Sequence, residues 1–153
     1  MFSFQNKVPP PIILALLMTG TFIMNDYFLT FHFPFQSLIS AVVLLLSSIG
    51  AFGMIEFKRQ NTTINPISID TSSCLVTSGI FKYTRNPMYV GLMSIMIAYS
   101  FFLGSFIGLL LTLFFGLYLH FFQIKPEEAT MRGLFGNDFK TYCEQAPRWL
   151  LFF

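Results

Sequence analysis

The chain is expected to be an all-α integral membrane protein with four transmembrane helices, a polar loop between the second and third, and an amphipathic C-terminal tail. Three observations predict this. Hydrophobic residues make up 54% of the 153 and charged residues only 10%, well below the share of about 25% charged residues in ordinary soluble domains. Four stretches approach the ~20 apolar residues needed to cross ~30 Å of hydrocarbon. The nine Lys and Arg residues all fall in the N-terminus, the middle loop or the tail, and none in the two short connecting turns.

The first span covers residues 12–31 and is broken only by Asn25 and Asp26 near its end. Lys7 precedes it, as in a secretory signal, but Pro9-Pro10-Pro11 intervenes and no small-x-small cleavage site follows, so this segment is expected to be retained. Asn25, Asp26, His32 and Pro34 mark a turn. The second span, residues 35–57, closes on Glu56, Lys58 and Arg59. Residues 60–73 are polar, rich in Thr, Asn and Ser, and read as a surface loop with room for one short strand. Residues 87–103 and 105–122 form the third and fourth spans without a charge, with Gly104, Ser105 and Gly108 at the turn between them.

With four spans, the N-terminus, middle loop and tail share one face, which the positive-inside rule makes cytoplasmic, in the inner membrane if the organism is bacterial. From Lys125 on, Glu127, Glu128, Asp138 and Glu144 alternate with Leu134, Phe135, Phe139, Tyr142 and Trp149, the pattern of a segment lying at the interface. Trp149 and the closing Leu-Leu-Phe-Phe would re-anchor it among the headgroups.

A net charge of +2 without a basic run excludes a nucleic-acid partner. Cys74 and Cys143, the two cysteines, lie far apart and outside any C-x-x-C pattern, so they read as free thiols with no metal site and no disulfide framework. No phosphate loop, dinucleotide fingerprint or Ser-His-Asp arrangement is present.

Residues 74–91, reading CLVTSGIFKYTRNPMYVG, organise the rest. Asn86 suits an N-cap and Pro87 the first helical turn, so a helix begins there with free N–H groups and positive dipole character. Beside Phe81, Tyr83 and Tyr89 at a membrane surface, such an end can hold a polar, partly anionic cofactor. On the cap alone, it equally fits an ordinary capped entrance to a membrane helix. Glu127 and Glu128 follow Pro126 near the level of Arg85 and Asn86. One of them would bind ribose hydroxyls or an ammonium group, although acidic residues in a first turn are also what the helix dipole favours anywhere. His120 is a polar contact or proton acceptor on the same face, or simply an interfacial histidine.

In order and spacing, Leu75-Val76-Thr77-Ser78-Gly79-Ile80-Phe81, Arg85-Asn86-Pro87-Met88-Tyr89-Val90-Gly91, Glu127-Glu128, Phe135-Gly136, Tyr142 and Pro147-Arg148-Trp149 resemble the isoprenylcysteine carboxyl methyltransferase family. They resemble the related phospholipid methyltransferases more loosely. The similarity covers residues 65–149 of a single domain, 1–153, and makes the middle loop a cytoplasmic cofactor-binding loop for S-adenosylmethionine. It implies that Leu75, Val76 and Phe81 lie along the cofactor, that Asn86, Pro87, Met88 and Tyr89 form the contact at the helix start, and that Glu127 binds with support from Glu128. Two positions depart from the family pattern. Asn86 replaces the usual His, and Gln123 stands by spacing where prenylcysteine enzymes carry an Arg toward the substrate carboxylate. Gln123, His120 and Arg85 are the catalytic candidates.

Methyl transfer from a sulfonium needs alignment and exclusion of water more than a catalytic dyad. The expected function is therefore S-adenosylmethionine-dependent methylation of a lipid, lipidated peptide or hydrophobic small molecule that enters from the bilayer, with membrane lipids as surroundings. Two other readings stand beside it. A relative of the membrane sterol reductases, which have a similar C-terminal pattern, would bind NADPH instead, and a non-catalytic membrane subunit of the same fold would bind no donor.

Overall fold

The computed structural model describes residues 8–60 and 74–150. The expected polar loop, Gln60 apart, and residues 151–153 of the expected anchor lie outside them. The described residues are helical, with no strand and one isolated bridge between Thr30 and Ser105. Helix α1 (Pro10–Met24) opens on two prolines, whose missing N–H groups cost nothing in a first turn. It ends well before residue 31. A 3₁₀ turn, Asn25–Tyr27, follows, and the chain then runs extended so that the Phe31 N–H donates to the Gly104 carbonyl at 2.7 Å. Asn25 and Asp26, poor helix formers, mark the point where pairing with the far hairpin replaces helix.

The second expected span is two helices, α2 (Gln36–Leu45) and α3 (Ser48–Arg59). Between them Leu46 and Ser47 remain helical in conformation but tighten, donating to Val43 and Leu44 at 3.1 and 2.9 Å, three residues back instead of four. Gln36–Arg59 as a whole is still long and apolar enough to cross a membrane. Helix α4 (Pro87–Leu103) occupies the expected third span, and its turn into α5 (Phe106–Tyr118) depends on Gly104. There φ is +63°, and a Cβ would stand 2.2 Å from the Phe31 oxygen. Ser105 caps α5 by accepting from the Gly108 N–H at 3.2 Å.

Helix α5 does not stop at the fourth span. It passes through a π-helical stretch, Leu119–Ile124, into α6 (Lys125–Gln145), and Phe106–Gln145 is the second stretch able to cross a membrane. The tail departs from the simple interfacial segment expected. Gly136, at φ 50° and ψ −118°, bends α6 and returns Phe139 and Tyr142 to pack with Val76 and Phe81. Trp149 packs against the cluster of Leu14, Tyr89 and Phe115 instead of standing free.

Helix α4 is the central rod, flanked by α1, α2, α3 and α5. Outward positions such as Leu16, Phe22, Leu45 and Leu113 stay exposed, an apolar surface suited to lipid and not to water. In lipid the hydrophobic effect does not press helices together, so small residues and short polar bonds must do so. Ser40 donates to the Ala98 carbonyl and Gln36 to the Phe101 carbonyl, both at 2.7 Å. The tightest crossing joins α3 to α4, where a Cβ on Gly91 would lie 3.0 Å from both the Gly50 Cα and the Ser47 oxygen.

Because those are backbone atoms, Gly91→Ala forces the helices apart and should cost about 1–3 kcal/mol. Gly20→Ala, with nothing within 4 Å of the new methyl, should be neutral or stabilising. Thermal unfolding of the two variants in the same detergent checks the contrast; equal midpoints would refute the crossing.

Candidate functional site

The segment before α4 is fixed at both ends. Ser78 donates a short hydrogen bond to Glu56 of α3, while Gln60 donates to Ser78 Oγ at 2.7 Å and to Glu56 at 3.2 Å. Gly79 follows at φ +58° with the Glu56 carboxylate lying 2.8 Å from where a Cβ would be, so this position accepts no side chain. The 3₁₀ turn Gly79–Lys82 then buries Phe81, whose ring meets Phe57 edge-on at 5.0 Å and whose carbonyl accepts from the Tyr142 hydroxyl at 2.8 Å. Pro87 begins α4 as expected. Asn86 sits at the N-cap position but makes no capping bond; its amide donates instead to the Arg148 carbonyl at 2.9 Å.

A cavity of about 500 Å³ lies between this segment, α3, α4 and α6. All nine residues expected at a cofactor site line it. Leu75, Val76 and Phe81 come from the segment, Asn86, Pro87, Met88 and Tyr89 from the start of α4, and Glu127 and Glu128 from α6. Arg85 lines it as well. Gln123 and His120 do not. Gln123 is 1% exposed and bonds Val8 and Tyr118, and His120 stands edge-on to Phe121 at 4.9 Å.

The two glutamates do different things. Glu128, 7% exposed, accepts from Arg85 at 3.1 Å and from two nitrogens of Arg148 at 2.9 and 2.7 Å. Burial alone would raise its carboxyl, but the hydrogen bonds and charge of Arg148, with the charge of Arg85, outweigh it and hold the group below the usual carboxylate range. The Arg85 guanidinium also donates to the Cys143 carbonyl at 2.9 Å and to that of Ala146, where α6 has no basic residue of its own in its last turn. The Arg85 N–H to Pro147 and the Thr84 hydroxyl to Arg148 complete a clasp between the start of α4 and the chain after α6.

Among the described residues Glu127 has no ion-pair partner, and its one side-chain hydrogen bond is the short one donated by the Tyr89 hydroxyl across from α4. The open cavity leaves one face of the carboxyl reachable, yet protein surrounds the rest. Burial raises it and the Glu128 charge adds to that, while the Tyr89 bond opposes, and the group is pushed up to about 7. The site therefore offers one carboxyl able to change protonation near neutrality, set in walls that are mostly apolar or aromatic.

Sequence reasoning missed the remaining walls. Pro10 and Pro11 bound the cavity from α1, Ser47 from the link before α3, Gly50 and Ala51 from α3, and Phe139 and Tyr142 from α6. The small residues at 47, 50 and 51 follow helical spacing and mark a close approach. No local signal brings Phe139 and Tyr142 here, because Gly136 redirects them.

Between pH 4.5 and about 7, Glu127 keeps its proton in the folded chain and loses it in the unfolded one, so this group makes stability fall as pH rises. Glu128 does the opposite: its contribution is present above 4.5 and lost as pH falls through its lowered value. Glu127→Gln should remove the decline between pH 4.5 and 7 in a thermal-midpoint profile, whereas Glu128→Ala should cost about 3–5 kcal/mol at neutral pH by stranding two arginines. Profiles that coincide for wild type and Glu127→Gln would refute the assignment.

The phospholipid methyltransferase family profile matches residues 35–138. Over 76 residues the chain is 37% identical to the protein-S-isoprenylcysteine O-methyltransferase of Schizosaccharomyces pombe, which is 48% of this chain and 31% of that protein. Over 63 residues it is 33% identical to an uncharacterized protein of Haemophilus influenzae, covering 41% of this chain and 100% of that one. The match thus spans about a third of the length of the Schizosaccharomyces protein. No solved structure matches. With about two thirds of its length inside the profile, and with the motif residues gathered around one cavity, this chain belongs to the phospholipid methyltransferase family, among its isoprenylcysteine carboxyl methyltransferase-like members.

Proposed function

We propose that the chain is a single-domain membrane enzyme, residues 1–153, that transfers a methyl group from S-adenosylmethionine to a lipophilic acceptor at the cytoplasmic face. The observation that carries this reading is the convergence of Leu75, Val76, Phe81, Asn86, Pro87, Met88, Tyr89, Glu127 and Glu128 on one cavity. The residues present fit the donor. About 500 Å³ lies within the usual range for small-molecule sites, Phe81 and Tyr89 offer flat apolar faces, and Glu127 with Tyr89 offers acceptors for hydroxyls or an ammonium. When bound, S-adenosylmethionine would supply a methyl group activated by its sulfonium: an acceptor's lone pair forms the new bond to the methyl carbon while the carbon–sulfur bond electrons pass to sulfur, and S-adenosylhomocysteine leaves.

The chain's own tasks are then binding, orientation and exclusion of water. Glu127 and Tyr89 hold the donor's polar end, the clasp around Glu128 keeps α4 and the end of α6 together, and the apolar walls dry the site. An acceptor that must lose a proton has Glu127 within the cavity to receive it above pH about 7. The acceptor is a lipid, lipidated peptide or hydrophobic small molecule that approaches through the bilayer.

In this reading four spans cross the membrane, α1, α2 with α3, α4, and residues 105–122 beginning with α5. Glu127 and Glu128 lie beyond the last of them, and both chain ends and the middle loop share one side. That side carries the Lys and Arg residues, and the positive-inside rule makes it cytoplasmic, in the inner membrane if the organism is bacterial. A nicotinamide cofactor with a 2′-phosphate is the poorer fit, because Arg85, the one cation among the described cavity residues, is engaged by Glu128 and two carbonyls.

Purified protein should bind S-adenosylhomocysteine saturably in calorimetry, and Glu127→Ala or Tyr89→Ala should weaken it by about tenfold or more. NADPH should not compete. Absence of any binding by the folded wild-type protein would sink the proposal.

A further inference from the structure

We propose that Gln123 and Tyr118 are positioning residues that fasten residues 8–11 as a wall of the cavity and so set its width on the α1 side. The inference deepens the proposed function by naming what bounds that site, and its test reads the wall without any donor.

The wall has little fastening of its own. Pro9, Pro10 and Pro11 carry no backbone N–H, so residues 9–11 can be held only through carbonyls and side-chain packing. The Ile12 N–H donates to the Pro9 carbonyl at 3.0 Å and starts α1. The carbonyl just ahead, that of Val8, is the anchor. It accepts from Gln123 Nε2 at 3.2 Å and from the Tyr118 hydroxyl at 3.3 Å. Gln123 Nε2 also donates to the Tyr118 hydroxyl at 3.1 Å, so both amide hydrogens are committed. Beyond that anchor, Pro10 is buried and lines the cavity beside Pro11, with Ala51 and Met54 of α3 also on its margin.

A buried amide is costly unless bonded, and the helix is distorted to place this one. The π stretch Leu119–Ile124 turns Leu119, Gln123 and Ile124 inward together, each at most 1% exposed. Such stretches are rare and often sit at functional sites. Glu127 follows Gln123 by one turn, so one continuous helical stretch carries both the carboxyl that lines the cavity and the amide that holds the Val8 carbonyl ahead of the α1 wall. Loss of the amide's donors would release residues 8–11 while leaving the clasp at Glu128 intact.

The test is the reaction of Pro10→Cys with N-ethylmaleimide, donor-free, in detergent and in a Cys74→Ser, Cys143→Ser background. The thiol should react slowly there and about tenfold faster when Gln123→Met, which keeps bulk but donates nothing, is added. Tyr118→Phe should give a smaller rise and serves if Gln123→Met does not fold. Gln123→His, which keeps a neutral N–H donor at similar volume, should return the rate toward the starting value, which general loosening would not allow. Unchanged reactivity with both Gln123→Met and Tyr118→Phe overturns the proposal, as does a Gln123→His protein as reactive as Gln123→Met. Failure of S-adenosylhomocysteine to bind would remove the proposed donor and leave this comparison standing.

Discussion

The Glu128 carboxylate between two guanidinium groups is the constraint on which the rest of the site depends. It lies on α6, while Arg85 precedes α4 and Arg148 follows α6, so one buried anion ties together three places distant in sequence. Burying it is expensive, and the expense is offset only while both arginines stay in place. Arg85 in turn satisfies carbonyls at the end of α6 that the helix cannot bond internally. Removal of any member would therefore expose the needs of the other two, and the mouth of the cavity would lose its shape with them.

This clasp also explains how adjacent glutamates come to differ. Successive residues on a helix point about 100° apart, and here that rotation decides everything. Glu128 meets two cations and stays ionised, whereas Glu127 meets a tyrosine hydroxyl and an apolar chamber and holds its proton to about pH 7. Two carboxyls pushed apart in this way commonly divide a structural role from a chemical one. Glu127 faces the cavity, and among the described residues no ion pair holds it.

Around the site, helices approach by shedding side chains. Gly50 and Gly91 bring α3 against α4, and Gly53 lies over Pro87 so closely that a Cβ would meet its Cγ at 2.8 Å. These approaches bring α3 close to the start of α4, and Ser47, Gly50 and Ala51 close one side of the cavity. Gly79 does the same for the segment before α4, since only the absence of a side chain lets the Glu56 latch reach Ser78.

The sequence by itself determined the helical, apolar character of the described residues, the start of α4 at Pro87 and the turn at Gly104, and the order of its motifs, through a family resemblance, named nine residues that line one cavity. Those signals are local, carried by composition, a proline, a glycine at a turn and motif order. It misjudged the capping role of Asn86 and the positions of Gln123 and His120, because the direction of a side chain follows from neighbours far along the chain. Only the tertiary structure decided that Asn86 holds Arg148, that Gln123 holds Val8, and that Gly136 folds Phe139 and Tyr142 back to Phe81. The opposed protonation of Glu127 and Glu128 belongs there too, since desolvation and ion pairing arise only when separate helices enclose a group.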